Sequence, residues 1–173
     1  MANKKNPWVK YLVILGIAIV LLLFSVLKNR RYQQETSPVF ELQEKDVTAI
    51  SIISPQDTVS FQQLNDTTWT PIEPDTGDIN ESKVERFIGG LLEMKQTGIA
   101  TEKKDKHATY NVDDKSTLVE LKKGEKVLTS FYLGRSKASW SQGYVRFKGE
   151  NKVYRTNKNL SYLASSNPES WQK

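Results

Sequence analysis

The 173-residue chain contains no cysteine. That absence excludes disulfides, thiolate nucleophiles, Cys-ligated metals and a lipid-carrying cysteine. Histidine occurs once, at His107, inside the Lys-rich stretch EKKDKHATY. One His without Cys leaves a zinc ion dependent on carboxylates. A Ser-His-Asp triad would need that same His, and no Gly-x-Ser-x-Gly elbow is present. Also missing are Gly-x-x-x-x-Gly-Lys-Ser/Thr and Gly-x-Gly-x-x-Gly, the loops that cradle phosphates. The carboxylate pairs Asp75/Asp78 and Asp113/Asp114 lie in turn-like sequence, where Asp bonds its own backbone. These gaps predict a non-enzyme with no catalytic, cofactor-binding or metal residue.

Acidic residues are absent before Glu35. What fills that region is KYLVILGIAIVLLLFSVLKNRR, residues 10–31. From Tyr11 to Leu27 only Gly16 and Ser25 are not strongly apolar. With Trp8 and Val9 the run reaches about 20 residues, or roughly 30 Å as a helix, the thickness of a bilayer's hydrocarbon. A cleavable signal has a shorter run and a small-x-small site. Here Ser25 and Leu27 make a poor pair and positive charge follows at once. The sequence therefore predicts a retained single-pass signal anchor. Trp8, Tyr11, Leu12, Leu22, Phe24 and Leu27 are its lipid-facing and interfacial residues. The alternative reading is a buried core helix. Lys4, Lys5 and Lys10 precede the run and Lys28, Arg30 and Arg31 follow it, nearly a tie under the positive-inside rule. The short tail and the lack of acids favour N-in, C-out, with the folded domain outside the cytoplasm at the inner membrane.

The chain holds 25 Lys+Arg and 20 Asp+Glu. Six bases flank the apolar run, so 19 bases and 20 acids remain beyond residue 31. The basic pI belongs to the flanks, and a nucleic-acid partner, which would call for a basic domain, is not expected. About 140 remaining residues suffice for one domain with a proper core. The expected organisation is an anchor at 1–28, a tether at 29–39 and an extracytoplasmic domain at 40–173.

Within that domain, VTAISIIS (47–54), TVSFQQL (58–64) and TWTPI (68–72) read as strands from their β-branched alternation. Pro71 places the third at an edge. Val84, Phe87, Ile88, Leu91 and Leu92 follow the i, i+3, i+4 rule of an amphipathic helix. Asp78 with Glu81 resembles a capping box, with Asn80 an alternative cap. TGIATE suits a strand and EKKDKHATYNV a short helix stopped by left-handed Asn111. STLVELKK, KVLTSFYLG, YVRFKG and KVYRTN read as four more strands. LSYLASS and PESW suit a short helical ending. The expected class is α+β, strands–helix–strands–helix behind a transmembrane helix, with two related halves as one reading of the order.

Charge divides along the chain. Residues 32–114 hold 7 bases and 16 acids, and residues 115–173 hold 12 bases and 4 acids. On YVRFK the alternation puts Tyr144, Arg146 and Lys148 on one face and Val145 and Phe147 on the other. Arg146, Lys148 and Arg155 are thus the candidate face for an acidic partner or for lipid headgroups. Mutual neutralisation of the two halves is the plainer reading. The loop GRSKASWSQG (134–143) carries Trp140, a candidate contact or sugar-stacking residue, unless that ring folds back onto the core.

Several segments together resemble a bacterial family, a domain of unknown function with an N-terminal membrane anchor. They are FELQEKDVTAISI from Phe40, then Trp69, Ile72 and Pro74, the helix with Val84, Leu91 and Leu92, YNVD at 110–113, LG at 133–134, YVR at 144–146, VY at 153–154, and Trp171. The family's Gly-Leu after the Tyr is Asn111-Val112 here, and Asn also tolerates a left-handed backbone. Members of that family are often encoded beside gliding-motility-type ABC transporter subunits. The resemblance implies a membrane-tethered accessory or scaffold subunit of an envelope complex, with the bilayer and transporter-like subunits as partners and no cofactor. A module that binds or senses envelope ligands or glycans, using Trp140 and the basic strands, is the alternative. A hydrolase with a carboxylate site is a third reading.

Overall fold

The computed structural model describes residues 8–32, 36–65, 68–73, 77–137 and 139–173, without the side chains of residues 9, 10, 13, 26–32 and 73. The chain divides into two compact units, Met1–Glu35 and Thr36–Lys173.

The first unit is one helix, α1 (Trp8–Tyr32), built from Leu, Ile, Val and Ala after Pro7. Trp8, Tyr11, Leu12, Leu22 and Phe24 are each 65–72% exposed; Leu27 lies in the helix, with its side chain outside those described. The expected transmembrane anchor is corrected here. Among the described residues no helix is long and apolar enough to cross a membrane.

The second unit is built on a single antiparallel sheet. Its strands are β1 (Ser37–Pro38), β2 (Ala49–Ile53), β3 (Thr58–Asn65), β4 (Thr68–Glu73), β5 (Lys95–Thr101), β6 (Leu118–Lys123), β7 (Lys126–Arg135), β8 (Gly143–Phe147) and β9 (Val153–Thr156). They lie in the order β1-β5-β9-β8-β7-β6-β2-β3-β4. This overturns both the two-halves reading and the strands–helix–strands–helix description. β2 pairs with β6 through Ile50↔Leu121 and Ile52↔Val119, so the later strands fill the middle of the sheet and the earlier ones its flanks. A half-sheet ending at β2 would leave a long apolar edge unpaired, and β6 covers it. The expected short helices are 3-10 turns at Lys104–Tyr110 and Pro168–Trp171, and 161–163 is turn. Pro71 lies on β4, an edge strand, opposite Phe61 and beside a register shift in the β3–β4 pairing.

Among the described residues of this unit the α-helix is α2 (Glu81–Leu92). Asn80 caps it, its Oδ1 accepting from Lys83 N at 3.1 Å. Val84, Phe87, Ile88 and Leu91 are buried with Ile50, Ile52, Val59, Phe61, Val119, Leu121, Phe131 and Val145 in one core. Trp171 lies fully buried in it, with ring centroids 5.1 Å from Phe61 and 5.9 Å from Phe87. Its Nε1 donates to Ser165 O at 2.7 Å, which satisfies the one polar atom of the indole. The opposite face of the sheet carries a small second cluster, Val112, Tyr132 and Val153, covered by Tyr110 and Tyr144.

Candidate functional site

The hairpin loop between β7 and β8 is held open by two close approaches. A Cβ on Gly134 would fall inside contact distance of the Tyr110 carbonyl oxygen and 2.7 Å from Val112 Cγ1. A Cβ on Gly143 would sit 2.9 Å from Lys158 O and 3.2 Å from Asn159 Cα. Only glycine lets the 110–112 and 158–159 segments pass this close to the ends of the hairpin. Asn111, left-handed at φ 54°, and Asn159 are thereby brought beside the loop.

The result is a cleft of about 790 Å³. Its lining includes Gln56, Asn111, Lys115, Arg135, Trp140 and Tyr162. A second hollow of about 370 Å³ shares Arg135, Trp140 and Asn159 and adds Lys137. Trp140 is 93% exposed and Tyr162 73%. Trp140 therefore does not fold back onto the core. No carboxylate lines either hollow among the described residues. Lys115, Arg135 and Lys137 make no ion pair among them. The shielded side-chain nitrogen of Asn111 has no hydrogen-bond partner among the described residues.

The structure separates the residues of the expected basic face. Arg146 is buried, 4% exposed. Its Nε donates to Val112 O at 2.6 Å, Nη1 to Glu150 O at 3.1 Å and Nη2 to Asp114 Oδ1 at 2.6 Å. The guanidinium also lies 4.3 Å from the Tyr132 ring centroid. Its hydrogen bond to Asp114 holds that carboxyl below the ordinary range, while burial pushes the Tyr132 hydroxyl up. Arg146 thus locks the 110–114 segment onto the sheet. Lys148 is exposed, 3.9 Å from Glu120. Arg155 is exposed, on the face of Tyr144, its register partner. The acidic and basic stretches neutralise each other extensively. Five of the eight ion pairs among the described residues join the two: Asp46–Lys123, Asp78–Lys173, Glu93–Lys158, Glu102–Lys152 and Asp114–Arg146.

His107 is buried, and its Nε2 meets Asn151 O at 2.8 Å, joining the 3-10 turn to the β8–β9 connection. Asp113 accepts from Ser116 Oγ at 2.6 Å and Asp114 is spent on Arg146. Asp75 lies outside the described residues. Among those described, no group of three His, Asp or Glu converges as a metal site.

Sequence reasoning missed one cluster. Ser51 Oγ accepts from Ser60 Oγ and Lys122 Nζ, both at 2.9 Å, in a hollow of about 540 Å³. A Ser–Lys pair invites a nucleophile reading. Lys122 also meets Glu120 at 3.4 Å, so its amine is shared between that carboxylate and the serine. These residues come from three strands, and only their shared place in the alternation connects them in the sequence.

The family model described as Domain of unknown function (DUF4340) matches residues 69–173. No curated protein and no solved structure matches the chain.

Proposed function

We propose a function for a chain that belongs to the DUF4340 family: a non-enzymatic accessory subunit of a bacterial envelope complex, working beside an ABC-type transporter at the inner membrane. The supporting observation is α1. Ile14, Leu15, Val20, Leu21, Leu22, Leu23 and Phe24 are each more than half exposed on a helix with no core of its own. An all-round apolar surface of this kind is covered in the cell. Apolar subunits of a membrane complex are its natural cover, and holding the sheet unit close raises that unit's effective concentration for the same complex. The transporter association rests on the family resemblance.

Purification of the native chain from membranes, with mass spectrometry of what accompanies it, tests this reading. Transporter subunits are expected in constant ratio, and lost from the variant L15S/L22S. A chain recovered alone in both cases defeats the proposal.

A second reading, an envelope ligand-binding module, is favoured by the cleft around Trp140. Among the described residues, two exposed aromatic rings and two cations without ion pairs, Lys115 and Arg135, line it with no carboxylate, and Lys137 lines the adjoining hollow.

A further inference from the structure

We infer that the cleft between the β7–β8 loop and the Asn159–Tyr162 segment binds an acidic oligosaccharide, a short run of sugar rings bearing carboxylate or phosphate groups; this rests on the ligand-binding reading of the cleft.

Three observations converge. Trp140 and Tyr162 leave large ring faces in water at 93% and 73% exposure, and both line the same cleft. Flat amphipathic rings pack against the C–H faces of pyranoses while leaving the sugar hydroxyls free for polar partners. Polar groups line the cleft as Asn111, Asn159 and Ser161; Ser161 Oγ donates to Asn159 Oδ1 at 2.8 Å, which leaves the Asn159 amide nitrogen and the serine's acceptor side for a sugar hydroxyl. Finally, the charge has one sign. Lys115 and Arg135 line the cleft, Lys137 lines the adjoining hollow, and among the described residues no carboxylate lines either, so an anion is attracted and held.

A single-stranded nucleic acid also combines stacking with phosphate. Its backbone needs a long basic track, whereas the chain beyond residue 31 has 19 bases and 20 acids. A short ligand needs only the local patch. A neutral sugar would leave the three cations unused.

Calorimetric titration of the full chain in detergent tests this with four probes: hexagalacturonate, mannose 6-phosphate, maltohexaose and deoxythymidine decamer. Saturable binding of one acidic saccharide is expected, at least tenfold tighter than that of maltohexaose. The variants W140A and R135Q should each weaken it tenfold or more, with unchanged unfolding midpoints, and R135Q should reduce its salt dependence. Lys148→Gln, away from the cleft, should bind as the parent does. Equal affinity for maltohexaose overturns the acidic assignment and keeps the ligand-binding reading. Failure of all three saccharides overturns both. Tighter binding of the decamer transfers the cleft to nucleic acid, and binding indifferent to W140A overturns the location.

Discussion

Gly134 lies directly beneath the Tyr110 carbonyl, so close that β7 and the 110–112 segment pack backbone to backbone. Replacing it with alanine sets a methyl against a carbonyl oxygen that Asn111's left-handed turn fixes in place. Gly134→Ala should cost about 2–3 kcal/mol, the upper end of overpacking penalties, read from the urea midpoint. Alanine at exposed Gly124 keeps its surroundings clear, and there the cost should be only about 1 kcal/mol, from the positive φ.

Arg146 and Lys148 stand two residues apart on one face and should respond differently. Arg146→Met strands the Val112 and Glu150 carbonyls and should cost about 2–3 kcal/mol. Lys148→Gln should change stability by less than about 0.5 kcal/mol. Equal effects in chemical denaturation would contradict the burial difference between them.

Asp114 gives stability a pH signature. Its carboxyl is held low in the folded chain, chiefly by the Arg146 hydrogen bond. The stabilisation is therefore complete above the ordinary aspartate value and fades as pH falls through the folded one. The gap in unfolding midpoint between the parent and Asp114→Asn should be constant near neutrality and close in acid. A gap that widened with acidity would reverse the sign.

Trp171 plugs the space between Phe61 and Phe87. Trp171→Ala should cost about 3–5 kcal/mol by the cavity it leaves and the Ser165 carbonyl it abandons. Thermal unfolding with near-ultraviolet dichroism would show the loss.

Local pattern carried much of the fold. Alternation over VTAISIIS found the strand whose Ile50 and Ile52 are fully buried, and the 3.6 period found α2. Asn111 was legible as a left-handed stop because few other side chains adopt that backbone. Strand order was not legible: pairing β2 with β6 joins residues some 70 apart, and no local propensity encodes that. The apolar run ending near Leu27 predicted a membrane crossing from composition alone, and the described helix does not supply it. At the site, Trp140's exposure answered a question its loop left open. Arg146 read as surface from alternation, because a two-residue period says which face a side chain takes, not what later covers that face. The covering segment, 110–114, lies more than 30 residues away. Asn159 and Tyr162 were missed as partners of Trp140 for the same reason.

The sheet order also bears on synthesis. β2, β3 and β4 leave the ribosome before β5 to β9, and the segment they belong to carries a surplus of negative charge. Its counter-charges Lys123, Arg146, Lys152, Lys158 and Lys173 all come later. Until those partners arrive, the surplus acids of the segment face solvent, and their arrival turns the imbalance into five ionic links between early and late parts of the chain.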